Sequence, residues 1–168
     1  WRRDKSSDRL TSKRTAAASA LAAVHLARAD ADTVAVLGCG EQGRAQLAAL
    51  ARVRPVRRAF AWDRDERAAR DYAARMGSAL AIDVVPAAEL AQATQSAGII
   101  VTATSAREPF LRADHVRPGT FIAAVGADNP QKSELDPSLF AAATVVVDSL
   151  QQAAAMGDLH HAMDAGTA

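Results

Sequence analysis

The 168-residue sequence predicts an α/β fold: a doubly wound, mostly parallel sheet with helices on both faces. Three observations carry this. Short apolar, β-branched runs recur along the chain, as buried parallel strands require. Segments with helical spacing separate them. A glycine-rich turn follows the first run directly and opens the next helix. Crossovers between parallel strands are then expected to be right-handed.

The elements follow in order. Residues 1–12 are polar, without periodicity, and read as a loose tail. Thr15 to Ala29 reads as an alanine-rich helix with Leu21, Val24 and His25 on one stripe. The overlapping run Lys13 to Ala31 has a basic start and Ala27-Arg28-Ala29, features shared with signal peptides. His25 and Arg28 interrupt its apolar part, so the helix is preferred and a cytoplasmic location is expected. Thr33 to Leu37 is the first strand and ends at Gly38-Cys39-Gly40. Glu41 to Val53 is helical and Pro55 stops it. Val56 to Trp62 is the second strand, followed by a helix from Arg64 to Met76 that Gly77 would close. Ala79 to Ile82 is a weak third strand, and Pro86 to Gln92 a short helix. Gly98 to Thr104 is a strong fourth strand, and Leu111 to Val116 one helical turn. Thr120 to Val125 is the fifth strand, Pro137 to Ala142 a short helix, and Thr144 to Val147 a sixth strand. The tail from Ser149 to Met163 is helical with a break at Gly157.

Composition narrows the function classes. Twenty basic against 19 acidic residues give a net charge of +1, which argues against a nucleic-acid surface. One cysteine, Cys39, excludes an internal disulfide framework and a cysteine zinc cluster. No apolar run reaches the ~18 residues that a membrane span needs. Alanine supplies 42 residues, so much of the apolar content is small and buries little area per residue. His160 and His161 are adjacent, point different ways on a helix, and give no metal site.

Gly38-Cys39-Gly40-Glu41-Gln42-Gly43 fits G-x-G-x-x-G between a strand and a helix. The spacing has a physical logic in Rossmann-like domains. Gly38 permits the turn, Gly40 lets backbone approach a pyrophosphate, and Gly43 lets helix and strand pack closely. The free amides and dipole of the helix then favour the phosphate charge. Asp63 stands twenty residues after Gly43, at the end of the second strand, placed for both ribose hydroxyls of an adenosine. NAD is therefore expected, with NADP possible because Arg64 and Arg67 stand next to the acid. A plain glycine turn with a solvated acid, or an S-adenosylmethionine site, would use part of this pattern. Cys39 is a small residue in the loop or a thiol at a helix start.

Other strings go beyond the fold. They are Arg14-Thr-Ala-Ala-Ala-Ser19, Val101-Thr-Ala-Thr-Ser105, Ala124-Val-Gly-Ala-Asp128-Asn-Pro-Gln-Lys132 with Glu134-Leu-Asp136, and Gly157-Asp-Leu-His-His-Ala162. With the glycine turn, and in this order, the sequence resembles the ornithine cyclodeaminase/mu-crystallin family from about Leu10 to Gly166. The resemblance implies an NAD(P)-dependent enzyme of amino or imino acids. Such enzymes cyclise ornithine to proline with loss of ammonia, reduce cyclic ketimines such as pyrroline-2-carboxylate, or interconvert alanine and pyruvate. It implies Asp128 as catalytic acid/base and Arg14 as the clamp on the substrate carboxylate. It implies cofactor contacts from Glu41, Gln42, Thr102, Thr104, Ala124, Val125 and Lys132, beside Gly38, Gly40, Gly43, Asp63 and Arg64. Gln131 stands where the family has glycine. The resemblance also implies a tail and connecting helix at 1–29, a nucleotide domain at 30–150, and a segment at 151–168 returning to a substrate and dimerisation domain outside this sequence. The full protein is then a homodimer, and this chain binds cofactor with little turnover. A protein that binds NAD(P)H or a small ligand without catalysis, or an S-adenosylmethionine-dependent methyltransferase, are the rival readings.

Overall fold

A computed structural model describes residues 5–168. Five strands form one all-parallel sheet: β1 (Thr33–Leu37), β2 (Arg58–Trp62), β3 (Asp83–Pro86), β4 (Ile99–Thr102) and β5 (Phe121–Ala124), in the order β3-β2-β1-β4-β5. Val34 pairs with Ala59 on one side and Ile99 on the other, so the three central strands stay in step. Alternation along these strands sorts two cores. Val34, Val36, Ile99 and Val101 face α1 (Lys5–Leu26), α2 (Glu41–Val53) and α3 (Glu66–Leu80). Ala35, Leu37 and Ile100 face α4 (Leu90–Thr94), Leu111 and Val116 on either side of the 3-10 turn Ala113–His115, and α5 (Ser138–Ala141). Both faces of β1 and β4 are covered, as their largely apolar sequences require.

Alanine shapes the first layer. Ala16, Ser19, Ala20 and Ala23 form the buried stripe of α1, which packs along α2. Such small residues bring helix backbones close. The apolar Leu10, Leu21, Val24 and Leu26 of the same helix stay exposed.

The structure departs from the sequence expectations at four places. The tail expected to be loose is helical from Lys5, where it continues the alanine-rich helix towards the N-terminus as one element. Residues 1–4 lie outside the described residues. Gly77 does not close α3, which runs on to Leu80 and ends where Ala81 turns left-handed at φ 54°. That displaces β3 to Asp83–Pro86, and Pro86 ends an edge strand instead of opening a helix. The Thr144–Val147 run is no strand: Val145, Val146 and Val147 are exposed, and β5 remains the sheet edge. Branched side chains favour a strand only when a neighbour pairs with it. Two short helices, α6 (Leu150–Ala155) and α7 (Asp158–Asp164), finish the chain.

Candidate functional site

The sheet order reverses between β1 and β4. From β1 the chain winds towards β2 and β3; from β4 it winds towards β5. The loops leaving the carboxyl ends of these two strands diverge there, and open α/β sheets bind ligands in that crevice.

The first wall is the glycine turn. Gly38 has φ 106° and donates its amide to the Trp62 carbonyl at 2.9 Å. A Cβ at Gly38 would collide with the Ala103 carbonyl oxygen and stand 3.0 Å from the Thr104 methyl, so the β1 and β4 loops touch here. A Cβ at Gly43 would collide with the Gly38 carbonyl oxygen and come within 3.1 Å of Val36. Gly40 differs: nothing lies within 4 Å of where its Cβ would be. Two glycines are closed by protein and the middle one faces open space. Gly40 also starts α2 without a side-chain cap, leaving first-turn amides for a ligand. Glu41 is exposed beside it, and the buried Nε2 of Gln42 has no hydrogen-bond partner. This cradle fits a dinucleotide pyrophosphate.

Asp63 closes the loop from β2. Its Oδ2 accepts from the Cys39 amide at 2.8 Å and its Oδ1 from the Asp65 amide at 3.1 Å. An ionised carboxylate offers about four acceptor positions, so room remains for hydroxyl donors. Asp63 is half-buried and Arg64 is exposed next to it. Burial, then the Asp63 charge, push the Cys39 thiol up to about 12 against the pull of Arg44. Cys39 is therefore a packed thiol and not a thiolate.

The second wall rises from β4 and β5. Thr102 is fully buried, so its side chain does not open on the crevice. Thr104 donates its amide and hydroxyl to Glu134 Oε1, at 2.5 and 2.7 Å. Val125 donates to the Thr102 carbonyl at 3.0 Å, Ala124 is exposed, and Val125 is half-buried. Past them the Gly126 amide donates to Glu134 Oε2 at 2.9 Å. Exposed Asp128 pairs with Lys132 at 2.7 Å and accepts from the side-chain Nδ2 of Asn129 at 3.1 Å. Among non-glycine described residues only Ala81 has a positive φ, so Gln131 takes ordinary backbone angles. Arg14 is exposed on α1 and makes no hydrogen bond or ion pair with these residues.

Glu134 and Asp158 are the buried groups that sequence reasoning passed over. Glu134 is fully enclosed; Asp158 accepts from the Glu134 amide at 2.7 Å and the Leu135 amide at 3.0 Å. Burial raises both pKa values. For Glu134 the hydroxyls of Thr102 and Thr104 oppose this; for Asp158 the amides of Leu135 and Glu134 do. The one sequence signal for them is that both sit inside the strings that carry the family resemblance, Glu134-Leu-Asp136 and Gly157-Asp-Leu.

The model of the ornithine cyclodeaminase/mu-crystallin family matches residues 5–167. The chain belongs to that family. Alanine dehydrogenase of Archaeoglobus fulgidus is 38% identical over 157 residues, which is 93% of this chain and 48% of that protein. The structure of Thermococcus litoralis Delta(1)-pyrroline-2-carboxylate reductase with NADH and L-proline superposes with a TM-score of 0.91 at 33% identity, covering 94% of this chain and 49% of that one. Iminosuccinate reductase of Paracoccus denitrificans with NAD+ gives 0.90 at 34%, covering 95% and 49%. The chain spans about half the length of the curated relatives it matches. The family assignment bears out the resemblance and the fold class. Among the described residues, no helix is long and apolar enough to cross a membrane.

Proposed function

We propose that this chain is the NAD-binding part of an ornithine cyclodeaminase/mu-crystallin-type enzyme acting on an amino acid or cyclic imino acid. The observation that carries this is the glycine cradle at the strand switch: closed at Gly38 and Gly43, open at Gly40, with Asp63 at its rim. NAD fits better than NADP, because a 2′-phosphate would meet the Asp63 carboxylate.

The chemistry that NAD(H) would supply when bound is hydride transfer at the substrate α-carbon. The residues of this chain do the rest. Amides at the start of α2 hold the pyrophosphate. Asp63 accepts from the adenosine ribose. The β4 and β5 loops, through Thr104, Ala124 and Val125, border the second half of the cofactor. Asp128 moves a proton at the substrate nitrogen or at water, steadied by Lys132 at 2.7 Å. Arg14 clamps the substrate carboxylate with its two-pronged guanidinium. The enzyme reads as a homodimer when complete, with residues 1–29 and 151–168 flanking the nucleotide domain. Cytoplasmic work suits a chain with one buried, unreactive thiol.

Titration with NADH and NADPH tests this, followed by tryptophan quenching. Trp62 adjoins Asp63 and stacks on Phe110 at 5.5 Å. Saturable quenching that favours NADH, and that Asp63→Asn weakens, is expected. Absence of quenching by either cofactor, in a chain with its full helical dichroism, would overturn the reading.

A further inference from the structure

One buried carboxylate ties together three loops that the proposed reaction leaves without a role for it. Glu134 has no exposed surface. Its Oε1 takes the Thr104 amide and hydroxyl, from the loop after β4. Its Oε2 takes the Gly126 amide, from the loop after β5. Its own backbone carbonyl takes the amides of Phe110 and Leu111, both at 3.0 Å, from the connection between those strands. A Cβ on Gly126 would collide with this carboxylate, so glycine at 126 is what admits it.

Behind it stands a second buried carboxylate. Asp158, at the start of α7, accepts from the Glu134 and Leu135 amides and, at 3.4 Å, from the Ser133 hydroxyl. His161, one turn further, meets the Lys132 carbonyl at 3.0 Å. The segment carrying Asp128 and Lys132 is thus held from its far end by α7 and at its near end by Glu134.

A doubly wound sheet binds one mononucleotide on each side of the switch. The glycine turn and Asp63 serve the β1–β2 side. Thr104 and Gly126 edge the other side, where the nicotinamide half would lie. We propose that Glu134 is a positioning residue for that half, setting Thr104 and Gly126 at one fixed spacing. This rests on the dinucleotide reading above. Several donors converge on two oxygens, and such sharing fixes geometry more tightly than one bond does. Glutamine keeps the volume of glutamate but offers one oxygen. It can serve Thr104 or Gly126, and it turns an NH2 donor towards the other.

The test measures NADH and ADP affinities side by side, in the parent chain, Glu134→Gln and Asp158→Asn. ADP lacks both the nicotinamide and its ribose and reports the β1–β2 side. Its binding also shows that the domain is folded. The expected result is a tenfold or larger loss of NADH affinity in Glu134→Gln, with ADP changed less than twofold. Asp158→Asn, acting one step further back, shows a smaller loss with the same selectivity. It decides the matter if Glu134→Gln loses both ligands. Equal losses of both ligands in both variants, or no loss in either, would overturn the proposal. A folded parent chain that binds neither ligand would instead overturn the dinucleotide reading beneath it.

Discussion

The two walls of the crevice are built by different means. The β1–β2 wall is made of absent side chains: Gly38 and Gly43 let backbone meet backbone, and one half-buried acid, Asp63, trims the turn. The β4–β5 wall is made of buried charge: Glu134 and Asp158, both enclosed, gather amides from loops that have no such intrinsic shape. The first wall is local in sequence and rigid by exclusion. The second is assembled from residues 104, 126, 134 and 158, and holds only while every acceptor stays in place. A buried acceptor lost there leaves donors unsatisfied, which costs about 1–3 kcal/mol for each.

The largest effect that would sharpen this contrast lies inside the first wall. Gly43→Ala places a methyl group against the Gly38 carbonyl, and neither backbone can move away cheaply. A loss of about 1–3 kcal/mol is expected from such overpacking, read from the urea midpoint. Cofactor affinity falls with it. Gly40→Ala, three residues earlier, meets nothing in the protein. Its stability should stay within about 0.5 kcal/mol of the parent, as for other surface changes. Its NADH affinity should still fall at least tenfold, because the new methyl occupies the ligand's space. Equal stability losses in the two variants would mean that the loop is shaped by its own strain and not by the ligand it receives.

That same contrast explains what could be read from sequence. Gly38, Gly40, Gly43 and Asp63 have a fixed spacing because one turn and one strand connect them, and so the wall is legible as a string. The sheet was legible for a similar reason: Thr33–Leu37 and Ile99–Thr102 are apolar but for one threonine each, as suits a strand covered on both faces. Glu134 was not legible. Nothing local marks a glutamate as fully buried; its donors at 104 and 126 arrive through the fold. The Thr144–Val147 run failed in the opposite sense. Its composition is that of a strand, but pairing decides, and β5 does not take it up. At Gly77 a residue that often ends helices sits inside one, because the left-handed turn comes at Ala81.

Acid titration separates the second wall from the surface. Burial raises Glu134 and Asp158 above their ordinary values of 4.5 and 3.8. The folded chain therefore holds these protons more tightly than the unfolded chain does. The stability they contribute is complete below the ordinary values and declines as pH rises through the raised ones. Asp114 and Asp136 behave oppositely. The Arg112 hydrogen bond lowers the first, and the Ser138 hydroxyl lowers the second. Their contribution is present above 3.8 and lost as pH falls through the lowered values. Urea unfolding across pH 4–7 should show the stability advantage of the parent over Glu134→Gln shrinking as pH rises from about 4.5. An advantage that grows with pH would mean that the convergent donors outweigh burial.

The smallest expected effect concerns left-handed backbone at two places. Gly38 at φ 106° lies inside the crevice, in a conformation where a side chain is strained and the Ala103 carbonyl blocks it. Ala81 at φ 54° ends α3 as an exposed residue, and there alanine does occupy the left-handed region. A left-handed residue with a Cβ costs roughly 1–2 kcal/mol. Glycine removes that strain but adds freedom to the unfolded chain, roughly 0.5–1 kcal/mol in the other direction. Ala81→Gly should therefore stabilise by about 0.5–1 kcal/mol, a rise of about 2–4 °C per kcal/mol for a chain near this size. NADH affinity should not change, since the strain relieved is outside the crevice. A melting temperature lowered by Ala81→Gly would show that the α3 end is held by its Cβ. The tolerance for left-handed backbone would then no longer distinguish this turn from the one at Gly38.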